Sequence, residues 1–170
     1  FVLQGEPVNQ LEIEATGWSG VCNGLGATHY VQLYNAGNTY ANGTLTYVVD
    51  GLHNIISVNP IGATVTGNTI LWEYDNFAPT QTQHYYIQVS SIGVEYMGQQ
   101  ASNAATVTIE DAASEVIFTA MDEANYIVSC AYDPNDITEH NGYTNFGYIL
   151  DGDELEYTIR FQNTGNAPAA

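Results

Sequence analysis

The chain has 170 residues, of which 45% are hydrophobic and 19 are acidic; Arg160 is its only Lys or Arg, and the formal net charge is −18. Since binding to nucleic acids and acidic lipids depends on Lys and Arg, this charge excludes both kinds of partner. No apolar run approaches the roughly 20 residues of a membrane helix, so membrane insertion is not expected. The chain starts at Phe1 and shows no leader sequence, which is typical of a mature fragment of a secreted protein.

Short alternating segments, separated by Gly, Asn, Asp and Pro, recur along the chain and predict β-strands. In chain order, their alternating residues are Leu11, Ile13 and Ala15; Val31 and Leu33; Leu45, Tyr47 and Val49; Ile70, Trp72 and Tyr74; Tyr85, Ile87 and Val89; Ala105, Val107 and Ile109; Tyr126, Val128 and Cys130; and Leu155, Tyr157, Ile159 and Phe161. A period of two with one polar side predicts antiparallel sheets that have one buried and one hydrated face.

Two stretches between these segments carry more specific expectations. In residues 111–125 we expect a strand at Glu115–Thr119 and then a loop at Ala120–Asn125. Asn42-Gly43-Thr44 has the sequence of a glycosylation acceptor, but it is expected to form a hairpin turn. The predicted core consists of Val31, Leu33, Leu45, Tyr47, Ile70, Trp72, Ile87, Val89, Val107, Ile109 and Val128.

The chain contains an internal repeat. Residues 29–38 (HYVQLYNAGN) align without gaps with residues 157–166 (YTIRFQNTGN), which indicates tandem copies of one fold. We therefore predict an all-β protein of tandem immunoglobulin-like antiparallel β-sandwiches. Residues 1–131 would form the first domain, with an extra strand at Leu11–Thr16. Residues 132–170 would form a linker and the first strands of a truncated second domain.

Two motifs resemble a known family. Residues 132–136 (YDPND) and 155–168 (LEYTIRFQNTGNAP) resemble a repeat domain of Bacteroidota surface proteins that typically reads DPNDK, a short spacer and LEYTIRFQNTGNAPA. Residues 22–130 resemble the immunoglobulin-like module that precedes this domain. The resemblance implies a large extracellular or cell-surface protein exported by the type IX secretion system. Ile137 stands where the family usually has Lys, so any salt bridge of that Lys is missing.

The chain has two cysteines, Cys22 and Cys130, and no CxxC motif, which argues against a zinc ribbon or a thioredoxin-like site. Either the two form a disulfide or both are buried thiols. The extracellular composition favours the disulfide, which would tie the start of the first sandwich to its last strand. Closing a loop of roughly 100 residues would stabilise the fold by about 4.7 kcal/mol in the chain-entropy model.

A cluster of acidic and amide residues lies between the two predicted domains. The candidate calcium ligands are Asp133, Asn135 and Asp136, with Asp151, Asp153 and Glu154 if the following loop folds back. Carboxylate and amide oxygens suit Ca²⁺, and a cation at this joint would stiffen it. The alternative is an ordinary turn, in which the Asp and Asn side chains bond to the local backbone. The spacing does not match an EF-hand loop, so both interpretations stay open, and no other cofactor is expected.

Histidine and tyrosine supply the remaining candidates. His29, His53, His84 and His140 form no His-x-x-x-His pair; His29 is expected near the core and the others on loops or strand faces. Among the tyrosines, Tyr47, Tyr85 and Tyr126 are expected to point inward. Tyr30 and Tyr34 lie on the face opposite Val31 and Leu33, so they are expected to be exposed. These two tyrosines are weak candidates for binding surface glycans.

Nothing in the sequence selects a catalytic group. The acidic residues are scattered, and Gly17-Trp18-Ser19-Gly20 fails the G-x-S-x-G spacing of a nucleophilic serine. We therefore expect a non-enzymatic structural repeat, a spacer or adhesin stalk whose partners are neighbouring domains of the same chain. One alternative is a filament subunit, in which strands complete the sheet of an identical subunit. Another is a carbohydrate-binding accessory module of a secreted enzyme. An incomplete sandwich with a strand groove would favour the filament, whereas a complete first domain with a flexible or calcium-stiffened joint would favour the spacer. Coplanar exposed aromatics would favour the carbohydrate module.

Overall fold

A computed structural model describes residues 6–17, 26–130, 136–139 and 156–162 of the chain. The strands are β1 (Leu11–Thr16), β2 (Ala27–Asn35), β3 (Ala41–Val48), β4 (Ile55–Asn59), β5 (Thr64–Thr66), β6 (Thr69–Phe77), β7 (Thr82–Val89), β8 (Gln100–Glu110), β9 (Val116–Ile127), β10 (Asp136–Glu139) and β11 (Tyr157–Arg160). One short 3₁₀ turn spans Val94–Tyr96. The all-β prediction is confirmed, including the extra N-terminal strand.

Nine of these strands form two antiparallel sheets that pack face to face. One sheet has the order β1-β2-β7-β4 and the other has the order β5-β6-β3-β8-β9. A continuous apolar core lies between them, and every residue of the predicted core is buried. The inward positions follow the period-two pattern because successive side chains of a strand point to opposite faces. The antiparallel β-sandwich is therefore confirmed.

Strand β9 is longer than expected. The expectation of a loop at Ala120–Asn125 is wrong, because β9 runs without interruption and pairs with β8 from Ile127 back to Val116. Polar residues are compatible with a strand here because β9 lies at the edge of its sheet, where its outer face is open to water. Tyr126 therefore lies near the end of β9 and does not open a separate strand.

Gly43 marks a bulge within β3. The expectation of a hairpin turn at Asn42-Gly43-Thr44 is wrong, because all three residues belong to β3. The register between β3 and β6 shifts between Ala41 and Gly43. A Cβ atom on Gly43 would lie 2.0 Å from the carbonyl oxygen of Thr108, so only glycine allows this close approach of two backbones.

The two long sides of the sandwich differ. On one side β1 lies against β9, and the backbone N–H of Ala15 donates to Oδ2 of Asp122 at 2.7 Å. On the other side the chain crosses between sheets at residues 60–63, because β4 pairs with β7 and β5 pairs with β6. One side is therefore closed, and the other is spanned by this crossing segment.

Strands β10 and β11 form a separate antiparallel pair, in which Ile137 lies opposite Ile159. The strand predicted around residues 155–161 is thus present as Tyr157–Arg160. Ile137, Ile159 and Phe161 are exposed. The boundary near residue 131 and the truncated second copy stay predictions.

Candidate functional site

Most of the predicted cysteine and calcium sites fall outside the described residues. Cys130 is 1% exposed and packs with Ile92, Ala101 and Val128 in a small cluster beside the main core. Its predicted partner, Cys22, lies outside the described residues, so the disulfide stays a prediction.

Most of the candidate calcium ligands also lie outside the described residues. The residues that lie wholly outside the described part are Asp133, Asn135, Asp151, Asp153 and Glu154. Asp136 begins β10, but its side chain is not described. In residues 6–17, 26–130 and the two described C-terminal strands, no three His, Cys, Asp or Glu residues are grouped to hold a metal ion. Calcium binding stays a prediction.

Tyr30 and Tyr34 lie on the outer face of the four-stranded sheet, as predicted, but both are half-buried instead of exposed. The Tyr30 ring stacks on His84 at 5.6 Å between centroids and lies 5.4 Å from the tilted ring of Tyr86. Its hydroxyl is bonded to Nδ1 of His84 at 2.5 Å. Tyr30 is therefore one ring of a packed aromatic group, while Tyr34 pairs with Thr82 further along the sheet. Glycan binding at these tyrosines stays a prediction.

Two histidines and two tyrosines form a buried network at one end of the core. His29 is buried in β2 as expected, and His53 lies in the loop before β4 as expected but is buried there. Nδ1 of His29 bonds to the hydroxyl of Tyr47 at 2.9 Å, and Nε2 of His29 lies 3.3 Å from the hydroxyl of Tyr126. Nε2 of His53 bonds to the same Tyr126 hydroxyl. Tyr126 is half-buried and joins the two histidines.

The backbone fixes the direction of every hydrogen bond in this network. Nδ1 of His53 lies 2.6 Å from the carbonyl oxygen of Ser90, which only accepts, so this nitrogen carries the proton. In neutral His53, Nε2 then accepts from Tyr126, Tyr126 accepts from Nε2–H of His29, and Nδ1 of His29 accepts from Tyr47. The arrangement is complete with both imidazoles neutral.

Burial accounts for the protonation states. Desolvation, and to a smaller extent the neighbouring His53, lowers the pKa of His29 from 6.5 to about 4. Burial also lowers the pKa of His53, against an opposing hydrogen bond to Ser90. Burial raises the pKa of Tyr126 to about 12. The network is thus a hydrogen-bonded part of the core, and the lowered pKa values keep both imidazoles neutral at neutral pH.

An open groove of about 580 Å³ lies on the side of the sandwich that the crossing segment spans. Its residues come from the crossing segment, from β5, from β6, and from the first half of β7 with the residue that precedes it. They are Pro60, Ile61, Gly62, Thr64, Leu71, Trp72, Glu73, Tyr74, Asp75, Phe77, Gln81, Gln83 and Tyr85.

The groove has an aromatic floor and a polar rim. Trp72 and Tyr85 are buried, with ring centroids 4.9 Å apart. The indole N–H of Trp72 donates to the carbonyl oxygen of Pro60 at 2.9 Å, which fixes the crossing segment at the groove. Glu73 and Asp75 are exposed on the rim. Sequence reasoning placed Trp72 in the core correctly but gave no signal for the groove beside it.

Comparisons with known proteins match a family profile near the C-terminus and solved structures over most of the chain. The profile of a domain of unknown function, DUF7619, matches residues 133–170. No curated protein matches the chain. Within the described residues, no helix is long and apolar enough to cross a membrane.

The sandwich is similar to solved structures. The major pilin subunit BcpA of Bacillus cereus matches with a TM-score of 0.52 and 11% identity, over 80% of this chain and 43% of that chain. The chain therefore spans less than half of that pilin subunit. At this identity the likeness shows the β-sandwich fold alone.

Two further structures match with lower scores. A protein described as catalysing macrocyclization in alchivemycin A biosynthesis matches with a TM-score of 0.47 and 9% identity, over 72% of this chain and 96% of that chain. A collagen-binding domain of a Staphylococcus aureus adhesin matches with a TM-score of 0.42 and 10% identity, over 67% of this chain and 97% of that chain. Both likenesses are weaker than that to the pilin subunit.

Proposed function

We propose that the chain is a non-catalytic structural repeat of an extracellular bacterial surface protein, serving as a spacer in an adhesive stalk. The observation that carries the proposal is the single continuous core between two sheets, which the strands from Leu11 to Ile127 build without a strand from another chain. A domain with its own core keeps its shape when it is strung in series with others.

The polar groups of the core support a structural role. In the part of the chain that the structure describes, every buried side-chain nitrogen and oxygen has a hydrogen-bond partner. The cluster of titratable groups around His29 and Tyr126 is hydrogen-bonded throughout. Such a hydrogen-bonded cluster packs into the core as a structural element, which supports a structural role.

Further support comes from the chain's resemblances. The fold likeness to a pilin subunit is compatible with a surface role, and the DUF7619 match begins next to the proposed domain boundary. The motifs at residues 132–136 and 155–168 favour a Bacteroidota protein exported by type IX secretion. In this proposal a calcium ion held by Asp133, Asn135 and Asp136 stiffens the joint between domains.

Sedimentation velocity of residues 1–170 over a wide concentration range, with calcium and with chelator, tests the proposal. A spacer is expected to stay monomeric throughout, and a calcium-stiffened joint to sediment differently once calcium is removed. End-to-end polymers that grow with concentration would overturn the spacer and favour the filament subunit.

A further inference from the structure

We propose that the groove beside β6 binds an extended, basic segment of a partner protein, which adds to the free edge of β6 as an extra strand. This inference goes beyond the spacer role, since a spacer needs only its own domains. Four features support this proposal: an unpaired edge of β6, the chain crossing that leaves this edge unpaired, the apolar surface of the groove, and the negative charge of the groove's rim.

The free edge is the part of β6 that follows its contact with β5. Strand β5 pairs only with Thr69–Leu71, while β3 pairs with β6 along its whole length. From Trp72 to Asp75, no described strand lies on the β5 side of β6. At roughly 3.3 Å per residue, this edge offers about 13 Å of backbone to an incoming strand.

The crossing of the chain between sheets leaves this edge free. Residues 60–63 leave β4 in one sheet and enter β5 in the other, so neither strand continues along the groove. The bond from the Trp72 indole to Pro60 holds the crossing at the end of the groove. The facing strand β7 is likewise unpaired on this side before Tyr86, where its pairing with β4 begins. An added strand would thus lie between two sheet edges.

The groove also offers apolar surface to alternate side chains of such a strand. Ile61 is 90% exposed at the mouth, and Tyr74 is half-buried beside the edge. Trp72 and Tyr85 form a rigid floor below them. In strand addition the backbone bonds supply affinity, while pockets for alternate side chains supply specificity.

The rim charge selects the occupant. Glu73 and Asp75 are two residues apart and exposed, so both lie on the same outer face of β6. Acidic residues on an edge disfavour pairing with another acidic strand, and a second copy of this chain carries the same net charge of −18. A strand with Lys or Arg at alternate positions would place its cations opposite these carboxylates. Directly opposed unlike charges stabilise a strand pair, and like charges destabilise it.

The test measures binding of a synthetic peptide of alternating Lys and Val, with both ends blocked, by titration and amide chemical-shift mapping on residues 1–170. We expect binding that perturbs the amides of residues 71–75 and 82–85. The variant Glu73→Lys/Asp75→Lys should bind roughly tenfold more weakly, since two favourable cross-strand pairs become repulsive.

The matched control is Glu12→Lys/Glu14→Lys. These residues have the same spacing on the edge strand β1, and they change the net charge equally, but β1 lies on the closed side of the sandwich. The control should bind the peptide within about twofold of wild type. Equal weakening in both double variants would overturn the proposal, because the peptide would then be responding to overall charge.

A second measurement uses the unmodified protein and so does not depend on how the variants fold. Peptides N-methylated at alternate amides, in the two possible registers, separate strand addition from simple charge attraction. One register should lose binding and the other should keep it, because an added strand directs alternate amides toward β6. Equal affinity for both peptides, shifts confined to residues outside the groove, or no binding at millimolar peptide would each overturn the proposal.

Discussion

The buried histidines show how far single residues can be interpreted from sequence. His29 follows from the alternation of β2, because it shares the inward face with Val31 and Leu33. His53 does not, since it follows a turn at residues 51–52 and belongs to no alternating segment. Its burial depends on two partners that are distant in sequence, the Ser90 carbonyl and the Tyr126 hydroxyl. Such contacts exist only once the sheets have packed.

The network predicts acid sensitivity. Because the pKa of His29 falls from 6.5 unfolded to about 4 folded, the unfolded chain binds more protons between these values. Stability is therefore fully present above pH 6.5 and falls as the pH drops toward 4, by about 3 kcal/mol for His29 alone. Urea unfolding at pH 7 and pH 4.5 measures this loss.

His29→Gln should reduce that pH dependence, whereas His84→Gln, at an exposed position outside the network, should leave it unchanged. An unchanged slope in His29→Gln would show that other groups cause the acid sensitivity.

At the level of strands, alternation predicted the pairs that build the core and failed where a strand is polar or bulged. β9 carries Asp122, Glu123 and Asn125, which suggested a loop, but its long pairing with β8 outweighs local preference. β4 and β5 are short and were not predicted. The groove could not be predicted for the same reason, because it is defined by where these two strands stop pairing.

The bulge at Gly43 gives a prediction at this scale. Gly43→Ala should destabilise the protein by about 1–3 kcal/mol, because the new Cβ would meet the Thr108 backbone and force β3 and β8 apart. Gly51→Ala is the matched control, since its Cβ would meet only the Asn68 side chain, at 3.8 Å. Thermal unfolding of both variants tests this. Equal melting temperatures would contradict the close approach seen here.

For the whole molecule, composition and periodicity predicted the fold class and the core, and the internal repeat predicted a strand that is present at Tyr157–Arg160. Cys22 and all the candidate calcium ligands except the backbone of Asp136 lie outside the described residues, so the disulfide and the calcium-stiffened joint between domains stay predictions. The chain's net charge of −18 disfavours association with a second copy, and in our proposal it favours a basic partner segment. In that proposal, the free edge of β6 is where the basic segment binds.

The central claim is that the first sandwich is complete without a strand from another chain. The most direct test compares chemical and thermal unfolding of residues 1–131 with that of residues 1–170. We predict that residues 1–131 are monomeric and unfold cooperatively, with a melting temperature within a few degrees of the longer chain. A shorter chain that is unfolded, or that folds only when a peptide of residues 149–161 is added, would contradict the account and make strand exchange the basis of the fold.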